Sequence, residues 1–145
     1  MAVTAKRDNL RLVAIILGEK EGKVRNKEAM ELLDYGFNNY KVDLLKKENE
    51  IIDTVEIEKG SKDKVDVILK EDLIVLSKKT DKSINYDYEV DIKKIKLPLN
   101  KGDIVGKIKL LDNGKIIKEN DLIVNDDIKK INYLKYVFNK IKKIF

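Results

Sequence analysis

Ser61-Lys62-Asp63-Lys64 sets a serine three residues ahead of a lysine, and Ser83-Ile84-Asn85 sets another two residues ahead of an asparagine. Where such a serine opens a buried helix, the lysine amine falls one turn away and can take the hydroxyl proton, which supports acyl transfer through an acyl-serine. A lysine-threonine-glycine strand normally completes such a site; Lys79-Thr80-Asp81 lacks the glycine. The chain has no histidine and no cysteine, which removes His general bases, Cys nucleophiles and the usual zinc ligands. Ser61, however, follows Gly60 in a charged turn between β-like segments, so no helix is predicted to carry Lys64 to its hydroxyl. With lysine at about one position in five, an S-x-x-K arises by chance about as often as not. These residues are read as coincidences of composition, and no catalytic, cofactor-binding or metal-binding residue is assigned.

The elements that would position any site divide the chain in three. Leu10 to Leu17, closed by Gly18, is a continuous apolar run, the pattern of a strand covered on both faces. Ala29, Leu33 and Phe37 then recur at helical spacing, which predicts an amphipathic helix over 23–40. One strand and one helix cannot bury a strand on two faces, so residues 1–40 read as the closing βα piece of a larger sheet. Arg25 and Tyr35-Gly36-Phe37 are read as packing residues. From Val42 the period becomes two: Val55 and Ile57, Val65 to Leu69, and Ile84 to Ile92 alternate, and Leu73 to Leu76 is short and all apolar. Asp112-Asn113-Gly114-Lys115 is a hairpin signal, and Pro98 belongs at a strand end or edge. Residues 41–127 therefore read as a small antiparallel β-sandwich-like domain, making the chain mainly β with α.

The formal net charge is +5, and it lies at the end of the chain: residues 128–145 hold six lysines and no acid, leaving 25 basic against 26 acidic residues before them. On a helical wheel Ile131, Leu134, Val137, Phe138, Ile141, Ile144 and Phe145 share one arc, interrupted by Lys130. Lys129, Lys135, Lys140, Lys142 and Lys143 share the other. That is the pattern of a helix lying in a membrane interface, with each lysine near an anionic surface adding about 1 kcal/mol. The other reading is a terminal helix packed on its own domain. Tyr86 and Tyr88 could stack on bases, but Asp87, Glu89 and Asp91 on the opposite face would repel phosphates, so no nucleic-acid partner is expected. The N-terminal apolar run is too short to span a bilayer and no signal peptide is visible, so read as a complete protein the chain would stay in the cytoplasm.

Thr4-Ala5-Lys6-Arg7-Asp8-Asn9-Leu10-Arg11-Leu12-Val13, Leu17-Gly18, Arg25, Glu28 and Leu32-Leu33-Asp34-Tyr35-Gly36-Phe37 resemble the end of the penicillin-binding domain of serine-type D-alanyl-D-alanine carboxypeptidases, the low-molecular-mass penicillin-binding proteins. Leu97-Pro98-Leu99-Asn100-Lys101-Gly102-Asp103-Ile104-Val105-Gly106, Asp112-Asn113-Gly114 and Leu122-Ile123-Val124 resemble that family's C-terminal β domain. The resemblance implies three parts: residues 1–40 from the catalytic domain, a β domain over 41–127, and a basic amphipathic anchor over 128–145. It further implies an enzyme on the extracytoplasmic face of the cell membrane that trims terminal D-alanine from peptidoglycan stem peptides. The family's S-x-x-K, S-x-N and K-T-G motifs would precede Met1, so this chain is expected to act as spacer and membrane anchor, without turnover and without a cofactor. The stem peptide would be met only through the missing catalytic domain. Two rival readings are a stand-alone β module that binds a membrane surface or protein partner, and a complete enzyme built on Ser61, Lys64 and Ser83.

Overall fold

A computed structural model describes residues 1–81 and 85–132. The chain forms two compact units, one of Met1–Leu45 and Ile74–Ile84, the other of Lys46–Leu73 and Asn85–Phe145.

In the first unit β1 (Ala2–Arg7) pairs antiparallel with β2 (Leu10–Ile15), in register from Ala2↔Ile15 to Arg7↔Leu10. The tight turn needs a left-handed residue, and Asp8 takes that conformation at φ 50°, which a short polar side chain tolerates. Alternation along β2 turns Leu12, Ala14 and Ile16 to one side, where α1 (Gly22–Asn39) buries Ala29, Gly36 and Phe37. Gly36 is required for that approach, because a Cβ there would run into Leu12 Cδ1. The helix stops at Asn39, whose side-chain amide donates to the Tyr35 carbonyl, and the chain passes directly into β3 (Tyr40–Lys46). β3 pairs with β6 (Leu73–Lys78), and Ser77 Oγ donates to Asp43 at 2.6 Å.

Among the described residues β2 is covered on one face only: Val13 and Ile15 are 63% exposed, and Leu17, just beyond the strand, 84%. The reason is geometric. α1 supplies one covering layer, and no described element supplies the other. β1, which no sequence pattern announced, precedes the strand.

The second unit is a five-stranded sheet in the order β4-β5-β9-β8-β7, with every neighbouring pair antiparallel. Its strands are β4 (Ile51–Glu56), β5 (Lys64–Leu69), β7 (Asp87–Ile92), β8 (Ile104–Asp112) and β9 (Lys115–Val124). Val67 and Leu69 of β5, Ile108 and Leu110 of β8, and Leu122 and Val124 of β9 are fully buried, joined by Leu73 and Ile128. Each such side chain contributes about 1.5–3 kcal/mol by leaving water, so the core sits on the three central strands. The β8–β9 hairpin closes at Asp112↔Lys115 through Asn113 and Gly114, both at positive φ, as the sequence demands. β7 is an outer strand, which is why Tyr88 and Val90 stay more than two-fifths exposed despite their regular alternation. Among the described residues the architecture is mainly β with one helix, built from antiparallel sheets.

Candidate functional site

Ser61 lies in the turn from β4 to β5, where Lys59 takes a positive φ and Gly60 bridges Lys130. A Cβ on Gly60 would stand 2.6 Å from Ile57 Cγ2 and 2.9 Å from Ile128 Cγ2, so the turn is packed against the core. The Ser61 amide donates to the Lys129 carbonyl at 2.8 Å, and Ser61 Oγ accepts from the Lys129 amide at 3.1 Å. Lys64 opens β5 opposite Glu56, whose carboxylate lies 3.5 Å from the lysine amine. The serine hydroxyl is thus engaged in tying down residue 129, and the lysine faces a cross-strand acid. The helical turn that would unite them as nucleophile and base is replaced by a β turn.

Lys79-Thr80-Asp81 is also a turn: the Lys79 amide donates to the Asn39 carbonyl at 2.8 Å and the Asp81 amide to the Lys78 carbonyl at 3.1 Å. Lys79 belongs to the first unit, Ser61 and Lys64 to the second. Ser83 lies outside the described residues, and Asn85 is exposed.

The proposed anchor begins differently from its helical wheel. Ile128 pairs with Leu99 and Lys130 with Gly60 in antiparallel bridges, and the Ile131 amide donates to the Lys59 carbonyl at 2.9 Å. Residues 128–131 are therefore extended parts of the β unit, correcting the helix start at 128. Ile128 occupies the core, which outweighs the helical periodicity of its sequence. Lys129 and Ile131 accordingly serve the β unit. The remaining anchor positions, Leu134, Val137, Phe138, Ile141, Ile144, Phe145, Lys135, Lys140, Lys142 and Lys143, lie outside the described residues.

Asp126 and Asp127 fasten loops. The Asp127 carboxylate accepts from the Lys101 amide at 2.7 Å, and Asp126 meets Lys62 and the Asp127 amide. The Lys62 ammonium holds the Asp126 carboxyl below the ordinary aspartate value. Three further carboxylates are held low the same way: Asp43 by Lys41 and then Ser77, Glu50 by Lys46 and then the Lys47 amide, and Glu119 by Lys107. Phe37 lies under the Arg7 guanidinium, which also bonds Asp34 at 2.9 Å. Arg25 is part-buried with Nε unbonded among the described residues, while Tyr35 is exposed, so of the residues read as packing only Gly36 and Phe37 are fully buried. Sequence reasoning also passed over a cleft of about 880 Å³ in the second unit between residues 53–59 and 92–97.

Fold and side chains together define a β module whose charged groups tie loops and strands to one another. Its family follows from comparison with known proteins. The family described as penicillin-binding protein 5, C-terminal domain, matches residues 40–130, and the chain belongs to that family. It is 26% identical to the D-alanyl-D-alanine carboxypeptidase DacF of Bacillus subtilis over 94% of its own length and 36% of the relative's. It is 28% identical to DacA of Haemophilus influenzae over 83% and 31%. Its fold resembles the crystal structure of penicillin-binding protein 5 from Haemophilus influenzae with a TM-score of 0.71 and 25% identity, covering 90% of this chain and 38% of that one. The chain thus spans about a third of the length of the curated relatives it matches.

Proposed function

We propose that this chain is the C-terminal region of a D-alanyl-D-alanine carboxypeptidase that acts in peptidoglycan maturation, serving there as spacer and membrane anchor with no turnover of its own. The observation that carries the reading is the family match over residues 40–130, within relatives that are themselves named as carboxypeptidases. The engagement of Ser61 with residue 129 and of Lys64 with Glu56 supports the absence of an acylation centre here. In this reading β1, β2 and α1 close a catalytic domain whose remaining polypeptide covers Val13, Ile15 and Leu17. The β unit holds that domain away from the lipid, on the extracytoplasmic face. Stem peptides meet only the catalytic domain.

The anchor is the lysine-studded apolar segment after the β unit, with Leu134, Val137, Phe138, Ile141, Ile144 and Phe145 entering the interface and Lys135, Lys140, Lys142 and Lys143 facing anionic headgroups. Flotation with anionic and with zwitterionic vesicles tests it. The full chain should float with the anionic vesicles, and less so at high salt, because the lysine contribution is screened. A chain ending at residue 132 should stay at the bottom. Flotation that survives removal of residues 133–145 would contradict the anchor assignment.

A further inference from the structure

The two outer strands of the five-stranded sheet do not close on each other. A cleft of about 880 Å³ runs between residues 53–59, which are β4 and its continuation, and residues 92–97, which continue β7. Its floor is apolar, with Val55, Ile92 and Ile95 half-buried and Ile57 fully buried. β4 pairs with β5 on one side and with no strand of the described residues on the other, so alternate residues turn amide and carbonyl groups outward. On the far wall the Lys93 amide still bonds to Val105, at 2.8 Å, but Lys94, Ile95 and Lys96 make no backbone hydrogen bond among the described residues. The Lys59 carbonyl is taken by the Ile131 amide, so the open edge on that side runs along β4 and stops short of Lys59. A cleft with an apolar floor and open backbone groups on two walls is a receptor for one more strand.

The walls differ in charge. Asp53, Glu56, Glu58 and Lys59 stand on the β4 side, acidic on balance, Lys93, Lys94 and Lys96 on the other, and Lys130 at the end of the cleft; all are exposed. Glu58, Lys94 and Lys96 have no ion-pair partner among the described residues, so these charges are not consumed internally. An outward side chain on an inserted strand would lie between an acidic and a basic wall. A charge of either sign would be attracted by one and repelled by the other, whereas an uncharged hydroxyl or amide can bond to both.

We propose that this cleft binds an extended peptide segment of a partner protein, about six residues long to match its walls, alternating apolar with uncharged polar side chains. The apolar residues face Val55, Ile57 and Ile95, and the backbone joins the two open edges. The wall charges select against basic and acidic segments alike.

Fluorescence anisotropy with a labelled, end-capped heptapeptide alternating threonine and valine tests this on the full chain. Saturable binding is expected, with a loss of at least tenfold when alternate amides are N-methylated, since that removes the edge donors. Replacing the threonines by lysines, or by glutamates, should weaken binding several-fold. In the variant Lys94→Glu/Lys96→Glu, altered only at exposed positions, both walls are acidic, and the lysine peptide should become the tighter ligand. Equal binding of the N-methylated peptide, or a lysine peptide unaffected by the charge reversal, would overturn the proposal. So would displacement of the peptide by anionic vesicles, which assigns the lysine wall to lipid. Peptide binding that appears only once residues 133–145 are removed would assign the cleft to the chain's own tail.

Discussion

Gly106 on β8 lies opposite Ile92 on β7, and a Cβ there would press on the carbonyl oxygen of Asp91. Backbone cannot swing aside as a side-chain tip can. Gly106→Ala should therefore cost on the order of 1–3 kcal/mol through strain, read as a lower urea midpoint. Gly36→Ala is the informative contrast. There the obstacle is the tip of Leu12, which can rotate, and alanine gains up to about 1 kcal/mol of helix propensity, so the loss should be the smaller of the two. Equal losses at both positions would refute the distinction.

A second residue-scale prediction concerns acid. Asp43 accepts from Lys41 Nζ at 2.8 Å and from Ser77 Oγ at 2.6 Å, which holds its carboxyl below the usual value. In the unfolded chain it titrates at about 3.9. Its folded value being the lower, its stabilisation is fully present above the unfolded value and is lost as pH falls through the folded one. The stability difference between the wild-type chain and Asp43→Asn should thus be steady at pH 6 and shrink as pH drops below about 4, measured by urea unfolding. A gap that does not change with pH would refute the coupling.

At the scale of elements, the outward row of β2 is the feature with consequences. Val13 and Ile15 project from one face of a two-stranded ribbon, with Leu17 just beyond, and no described element covers them. An uncovered apolar strand face favours association. Sedimentation of the isolated chain should show concentration-dependent self-association that Val13→Thr/Ile15→Thr reduces. Both positions are exposed and threonine keeps β propensity, so stability should change by less than about 1 kcal/mol.

The same element shows what could be read in advance. The continuous run in β2 and the 29-33-37 spacing of α1 announced a strand and a helix, but β1 went unread: only Val3 and Ala5 mark its inner face, both small, and its pairing depends on β2. Asn113-Gly114 was legible because its turn requires two left-handed residues, a local demand. The pairing of β3 with β6 was not, since more than two dozen residues separate them. Ile128 and Ile131 kept helical spacing, yet long-range pairing decided their conformation, Ile128 with Leu99 and Ile131 with Lys59. The context of Ser61 was legible from Gly60 beside it. The cleft was not, because its walls come from segments 53–59 and 92–97 and no sequence pattern announces an open edge.

At the scale of the whole molecule, the chain combines two units that differ in how fully the described residues cover their apolar strands. The β unit buries its own core on three central strands, from Val67 to Val124. The first unit leaves a strand face open, as a piece of a larger sheet would. Family membership and the share of its relatives that the chain spans accord with a support for chemistry performed elsewhere. Fluorescent penicillin tests that most directly. Incubated with the full chain, denatured and resolved on a gel, it should leave no covalent label, because Ser61 Oγ accepts from the Lys129 amide with Lys64 turned to Glu56, and the only base on Ser77 is Asp43, a weak one held low by Lys41. Stoichiometric label that Ser61→Ala or Ser83→Ala abolishes would contradict the account.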